Sequence, residues 1–566
     1  MPISSEIIVV APDKCVGCNA CVRNCPAQEA NITKMLEDGR FVTTVNPDRC
    51  ISCGECVRTC QHGARDYLDD TDDFMRFIER NKAAILVAPA IKTVMPTIWK
   101  GVLDYFRQKG VQIYDVSLGA DICTWAHLRA IEQGKVKNVI TQPCAAIVNY
   151  IETYQPKLLQ NLSPVHSPVS CEAVYLQKYL NVTCPLAMLS PCIAKKTEFV
   201  ETGLIKYNVT MGKLKEYFQK HKIHIPENSA DDDYKYNFDD QQGLVGAVYP
   251  RPGGLRDNLW IHNPELNITN SEGVHKVYPE LDMYAQMPEF KHPEVFDVLS
   301  CEYGCNVGPA TDTQATVFDI MATMRDVEKF ARKNRKAGLF GKGEDKQFKK
   351  FDDVLGLSHF LRTYNPRKAS PVPTADQLEP IFKSMGKETD KDRHYDCHAC
   401  GYHSCYEMAT AIYRGLNVPD NCIIHAKSVL NARHEELTEE HDKLFMMAEK
   451  CKYFSDELVQ DIDVITANIH AINDATSKTG EKSQIVNSLL ENLISFCSAY
   501  DHMDAQTVAQ LTSILGSIST AFKSLDNNVT ITMGGSDAIS ESVVELTRLV
   551  EELNVMLHET THVDKY

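Results

Sequence analysis

The sequence predicts a multidomain protein with a parallel α/β domain in its middle, small cysteine-rich modules on either side, and an all-α tail. Three observations predict this. The cysteines, 21 in 566 residues, fall into tight groups. Between residues 80 and 330, apolar strand-like runs alternate with helical stretches. From about residue 427 the apolar positions recur at spacings of 3 and 4. A chain of 566 residues exceeds one hydrophobic core, so three or four domains are expected.

In chain order, residues 1–78 hold two cysteine runs and form the first module. Residues 79–368 form the α/β domain, with strands expected at Ala84–Val87, Val111–Tyr114, Val139–Ile140 and Leu186–Leu189. Within it, the basic stretch from Lys333 to Lys350 reads as a solvated loop. Pro366, Pro371 and Pro373 mark a boundary, and 369–391 is expected to be a linker. A Cys/His-rich module follows at 392–426, and the helical tail occupies 427–566. In the tail, Leu458, Ile462, Ile465, Ile469 and Ile472 keep the seam spacing of a coiled coil, as do Val508 to Val529 and Ile539 to Leu557. Gly534-Gly535 suggests a chain reversal into a hairpin with arms of about 30–40 Å at 1.5 Å per residue. An oligomerising coiled coil and a helical bundle both fit, and a homo-oligomer is expected.

Composition narrows the function classes. The formal charge of -17 argues against nucleic-acid binding, which needs a basic face. The longest apolar run, Ala83–Ile91, falls far short of the roughly 18 residues that span a bilayer. The start, MPISSEIIVV, lacks the basic region and cleavage site of a secretory signal, so a cytoplasmic protein is expected. Grouped cysteines suit metal better than disulfides, because thiolates on a short loop can all reach a metal about 2.3 Å away.

The N-terminal runs are Cys15-x2-Cys18-x2-Cys21-x3-Cys25-Pro26 and Cys50-x2-Cys53-x2-Cys56-x3-Cys60. This is the two-cluster bacterial ferredoxin pattern, in which the fourth cysteine of each run serves the other cluster. One [4Fe–4S] cluster would take Cys15, Cys18, Cys21 and Cys60; the other would take Cys50, Cys53, Cys56 and Cys25. The module is therefore expected to be a ferredoxin-like α+β fold. The third group, Cys397-x2-Cys400-Gly401-x3-Cys405 with Cys422, resembles a single-cluster [4Fe–4S] module found attached to redox and sensor proteins. The interspersed His394, His398, His403 and His425 keep zinc as the alternative.

Three central segments remain: Thr141-Gln142-Pro143-Cys144, Ser190-Pro191-Cys192-Ile193-Ala194-Lys195-Lys196-x-Glu198, and Cys301-x3-Cys305-Asn306-x-Gly308. They resemble, in order, the three signature motifs of [FeFe]-hydrogenases, with Tyr114–Asp121 and Asn149–Glu152 as matching flanks. The resemblance implies an H-cluster: a [4Fe–4S] cubane on Cys144, Cys192, Cys301 and Cys305, and a two-iron subsite with CO, cyanide and azadithiolate bridged through Cys305. It implies that Lys195, Ser190 and Pro143 contact the cofactor, with Lys195 donating to a cyanide. Glu198 would support that loop by pairing with a basic neighbour. Cys305, Lys195 and Glu198 would be the catalytic residues.

The departures point toward the family's divergent, sensory groups. Catalytic members carry a proton-relaying cysteine where this chain has Pro143, and methionines where it has Ser190 and Leu299. Proton-conducting members have glutamates where this chain reads Ile122-Cys123-Thr124-Trp125-Ala126-His127. Cys123, His127, Cys171 and Cys184 are read chiefly as buried structural residues, with a proton route as the alternative. The leading expectation is a hydrogenase of the ferredoxin-linked type with low activity, which binds or reversibly oxidises H2 and reports it through the tail. Its expected partners are protons, a ferredoxin-like redox protein, and a kinase or phosphatase reached through the tail. An ordinary H2-evolving or H2-consuming enzyme and a non-catalytic iron–sulfur scaffold are the alternatives.

Overall fold

The structure is a computed structural model and describes residues 7–229, 233–312, 314–335, 343–499 and 504–561. The chain folds as two units, Met1–Lys427 and Ser428–Tyr566. Among the described residues, no helix is long and apolar enough to cross a membrane.

The first unit begins with two antiparallel strand pairs. β1 (Ile8–Val10) pairs with β4 (Arg65–Tyr67), and β2 (Asn31–Met35) with β3 (Phe41–Val45). The two cysteine runs are the loops between them. Each run bends twice into the left-handed region at equivalent points, Gly17 and Asn19 in the first, Ser52 and Gly54 in the second. Such bends turn successive thiols to one side of a short loop.

Two parallel sheets follow, as expected where strands alternate with helices. One has the order β6-β5-β8-β9: Gln112–Asp115, Ala84–Val87, Leu186–Ser190 and Tyr207–Thr210. The other has the order β10-β11-β7: Ile268–Glu272, Val295–Leu299 and Val139–Ile140. β5 and β8 are buried throughout, which is why they read as unbroken apolar runs rather than alternating ones. β10 (ITNSE) is mostly polar and carries no such signal. Helices α1 (Val116–Glu132), α2 (Ala145–Tyr154) and α4 (Lys195–Thr202) each follow a strand or strand-end loop, and α3 (Pro168–Tyr179) follows α2 and leads into β8. Asp115 starts α1 by accepting the Ser117 N–H at 3.0 Å.

Two expectations are corrected here. Helices α5 (Val317–Arg335) and α6 (Gly343–Val354) take both ends of the basic Lys333–Lys350 stretch, and residues 336–342 lie outside the described residues. The stretch is not a loop because Phe348, with Phe351 just beyond it, is buried in the core, an apolar face masked in sequence by the surrounding lysines. The expected linker 369–391 contains α7 (Ala375–Ser384), started by a capping box between Thr374 and Gln377. Leu378 and Phe382 of α7 pack into one core with Met408 and Ala409 of α8 (Cys405–Tyr413), so the segment belongs to the C-terminal cysteine module.

The second unit is formed by α9 (Ile423–Ala499), from Ser428 onward, and α10 (Ala505–Thr561). The two run antiparallel. Ser455 Oγ donates to Asn554 Oδ1 at 2.9 Å, and Ser483 Oγ donates to the Phe522 carbonyl at 3.2 Å. The expected reversal at Gly534-Gly535 is wrong, because α10 passes through both glycines without a break. Glycine in a helix interior costs only about 1 kcal/mol against alanine, which the packing of a 57-residue helix absorbs. The arms are correspondingly longer than expected, about 85 Å for α10 at 1.5 Å per residue.

Candidate functional site

Three of the strands deliver the central cysteines. Cys144 follows β7, Cys192 follows β8 and Cys301 follows β11, each just past the C-terminal end of a parallel strand. This is where open α/β sheets build their sites, since the loops there converge on one crevice. Cys305 comes from the turn after Cys301. That turn holds Tyr303 and Gly304 at positive φ (60° and 78°), and the Cys305 N–H donates to the Pro250 carbonyl at 2.8 Å. At Gly304 a Cβ would meet the Pro250 carbonyl oxygen at 2.1 Å, so only glycine lets the two loops approach. All four thiols line one cavity, together with Pro143, Leu299 and Lys195.

The residues present fit a cluster with an anionic partner. Most of the lining is apolar, the donors are four thiols, and Lys195 is the one cation among the described lining residues. Burial pushes Cys192 up to about 11 and Cys305 up to about 12, so the bare thiols hold their protons and binding iron would release them. Among the described residues, no three His, Cys, Asp or Glu side chains form a group suited to a single metal ion.

Lys195 and Glu198 form a buried pair rather than a surface one, with side chains 9% and 4% exposed. Lys195 Nζ donates to Glu198 Oε2 at 2.5 Å and to Ser167 Oγ at 3.1 Å. Glu198 also accepts from the hydroxyls of Ser167 and Ser170. Burial opposes its charge, but Lys195, Arg362 and the Ser167 hydroxyl outweigh it and hold the carboxyl down at about 2. Ser167, Ser170 and Arg362 carry no motif of their own, and sequence reasoning missed them. Glu198→Gln is expected to destabilise the chain by about 3–5 kcal/mol, because it leaves the Lys195 ammonium buried without its counter-charge. Urea unfolding of the cluster-free protein measures this; a change below about 1 kcal/mol would show that water or Ser167 suffices.

Ser190 does not line the cavity. Its hydroxyl accepts the Cys192 N–H and donates to the Cys192 carbonyl, both at 3.0 Å, so it holds the Cys192 loop in shape. Cys123, His127 and Cys171 come together, whereas Cys184 lies apart, beside Gln112. Both Cys123 and Cys171 point their thiols at the His166 carbonyl, at 3.4 and 3.2 Å. Cys123 Sγ lies 3.6 Å from His127 Nδ1, and His127 Nε2 meets Ser163 Oγ at 2.9 Å. Burial disfavours charge here, yet Cys171, His127 and Tyr249 bring the Cys123 thiol below the usual thiol range. Tyr249, unremarked in the sequence, lines the cavity and shares a 2.8 Å hydrogen bond with Thr124.

Twelve of the other cysteines form three further sets, and the four sets lie in a row. Cys397, Cys400, Cys405 and Cys422 surround one small cavity, and Cys15, Cys18, Cys21 and Cys60 surround another. Cys21 packs into the same core as Cys400, Cys405 and Cys422. Gly401 makes that approach possible, because a Cβ there would meet the Val22 Cβ at 2.7 Å. Cys25, Cys50, Cys53 and Cys56 come next, with the buried Arg65 facing Cys21, Cys25 and Cys56. Cys53 then packs with Cys144 and Cys192 against Ala145, Ala146 and Ala194. Asn149 ties the two loops by donating to the Ile51 carbonyl at 3.1 Å.

Residues 81–309 match the family model of the iron only hydrogenase large subunit, C-terminal domain. Residues 14–64 match the 4Fe-4S dicluster domain, and 394–424 match the FeS cluster domain. The chain thus carries a hydrogenase-type domain between two iron–sulfur domains. No curated protein matches it. Among solved structures, one concerned with oxygen inactivation of [FeFe]-hydrogenase is 15% identical, with 54% of this chain and 100% of that chain covered and a TM-score of 0.40. HydA(deltaEFG), from work on stepwise [FeFe]-hydrogenase H-cluster assembly, is 15% identical over 51% of this chain and 95% of that one, with a TM-score of 0.38. A variant of the [FeFe]-hydrogenase HydA1 from Chlamydomonas reinhardtii is 13% identical over 54% of this chain and 100% of that one, with a TM-score of 0.39.

Proposed function

We propose that this chain holds an H-cluster in the cavity of Cys144, Cys192, Cys301 and Cys305, binds or slowly turns over H2 there, and serves as an H2 or redox sensor. The observation that carries the reading is the convergence of four thiols and one buried ammonium on a single apolar cavity. The H-cluster, when bound, supplies the redox-active iron at which H2 is split or formed. Cys305 would anchor the two-iron subsite, and the four cysteines together would hold the cubane. Lys195, fixed by Glu198 and Ser167, would place a positive charge and a donor against an anionic ligand of the cluster. The apolar lining would exclude water, which strengthens that interaction.

The row of cysteine sets supports an electron path from the C-terminal set, through the two ferredoxin-like sets, to the cavity. The sensory role rests on Pro143, which brings no titratable group to the cavity, and on a helical tail that the chemistry does not need. Slow turnover leaves the reduced or H2-bound state long enough for a partner such as a kinase or phosphatase to read it.

Iron content tests the cofactor set. Three [4Fe–4S] clusters and an H-cluster require about 18 irons per matured chain; without the maturation enzymes the chain should hold about 16 and show no H2 activity. Stoichiometric zinc would overturn the assignment of Cys397, Cys400, Cys405 and Cys422. Infrared bands of CO and cyanide in the matured protein test the two-iron subsite, and their absence would leave an iron–sulfur scaffold.

A further inference from the structure

The tail carries two heptad registers, and the hairpin covers only one of them. The inner register of α9 includes Ser455, Ile462, Ile469, Ser483, Leu490 and Cys497, all buried. On α10 the matching positions include Leu515, Ser536 and Val550, also buried, with Phe522, Val529 and Val543 half-buried between them. These two stripes face each other along the hairpin, as the Ser455–Asn554 and Ser483–Phe522 contacts require.

Three residues further on, a second register repeats on both helices and lies open. On α9 it runs through Leu430, Leu437, Leu444, Leu458, Ile465 and Ile472, all between 40 and 69% exposed. The seventh-residue step between Leu444 and Leu458 falls on Cys451, also exposed. On α10 it runs through Ile518, Leu525, Ile539 and Leu546, between 38 and 53% exposed. Large apolar residues at ten of these twelve heptad steps, interrupted by Cys451 and Thr532, are the mark of a helix–helix seam, not of a solvated face. We propose that two copies of this chain pair in parallel along this outer register, so that their hairpins form a four-helix bundle and the leading parts of their α9 helices a two-stranded coil.

Three features select a second copy as the occupant. First, the outer register outruns α10. Ser455 lies opposite Asn554, only seven residues before α10 ends at Thr561, so Leu430 and Leu437 have no α10 beside them among the described residues. There the inner register turns polar, with His434 and His441, while the outer one remains leucine. A second α9 running in parallel covers these two leucines together with the rest of the stripe. Second, the open stripe appears at the same offset on both helices and is apolar on both, so it is complementary to itself under a two-fold axis. Third, the area suffices. With roughly 90 Å² buried by each of these ten side chains, two copies remove roughly 1,800 Å² from water, within the range of specific stable interfaces.

Light scattering on the full-length holoprotein, kept anaerobic, tests the pairing. The expected mass is twice the 63.6 kDa of one chain. The double substitution Ile465→Glu with Leu546→Glu should halve that mass with the helical circular dichroism unchanged, because the buried inner register that joins α9 to α10 is left intact. Val464→Glu with Val544→Glu, exposed but outside both registers, should leave the mass at that of the dimer. A short thiol cross-linker should join Cys451 to its counterpart, found as a linked peptide by mass spectrometry. A wild-type mass of one chain, or a dimer indifferent to glutamate in the outer register, overturns the pairing. A dimer whose Cys451 never links to its counterpart overturns the parallel arrangement.

Discussion

Replacing Cys305 with alanine is expected to abolish both the infrared bands of CO and cyanide and all H2 turnover in a matured preparation. The residue lies in the turn that closes the cavity, and in the proposed site it is the thiol shared by the cubane and the two-iron subsite. Replacing Cys397 with alanine should act at the other end of the row. It should remove one paramagnetic cluster signal and leave the bands intact, because two further cysteine sets separate Cys397 from Cys144. Bands retained in the Cys305 variant would refute its anchoring role. Bands lost in the Cys397 variant would show that the C-terminal set is needed to build the active-site domain, which the close packing of Gly401 on Val22 would then explain.

Pro143→Cys is expected to speed H2 turnover, within the roughly 10²–10⁴-fold that one positioned acid–base group typically contributes. Pro143 lines the cavity beside Cys144 and has no proton to exchange. No carboxylate occurs between Thr141 and Tyr150, and Thr141 and Gln142 are buried and do not titrate near neutral pH. Of the residues lining the cavity, Lys195 is committed to Glu198, which leaves the hydroxyls of Tyr249, backed by Thr124 and Cys123, and of Ser300, backed by Tyr278, as polar ways out. Rates of oxidation and evolution should be compared at equal cluster loading, read from the infrared bands. Wild-type rates equal to those of ordinary catalytic hydrogenases would refute the proton limitation and leave the sensory reading on the tail alone. The substitution also frees the proline's fixed φ, so the variant's bands must match the wild type's before its rate is interpreted.

Much of this protein is legible in its sequence, because its chemistry is local. The spacing of Cys15, Cys18 and Cys21, and of Cys50, Cys53 and Cys56, places three thiols on one short loop whatever surrounds it. The left-handed bends at Gly17, Asn19, Ser52 and Gly54 are the backbone form of that repeat. β5 and β8 announced themselves because strands buried on both faces must be apolar without interruption. The tail's two registers were likewise present as spacings of 3 and 4, since an α-helix returns to the same face at that period.

What the sequence could not give is whatever depends on one surface meeting another. The prolines at 371 and 373 read as a linker, but burial of Leu378 and Phe382 against α8 makes the segment part of a module. The glycine pair at 534 and 535 read as a turn, but the long seam with α9 holds α10 straight through it. Glu198 was visible, but not the serine hydroxyls that satisfy it, since Ser167 and Ser170 reach it from another helix. Nor could spacing order the cysteine sets, whose sequence in space is fixed by Gly401 on Val22 and by Cys53 beside Cys144 and Cys192. The sequence by itself determined which residues can hold iron and which helix faces are apolar, because ligand spacing and helical period are properties of neighbouring residues. Only the tertiary structure decided that the four sets stand in one row and that one apolar register of the tail is left uncovered, because both depend on how side chains far apart in the chain fill the same space.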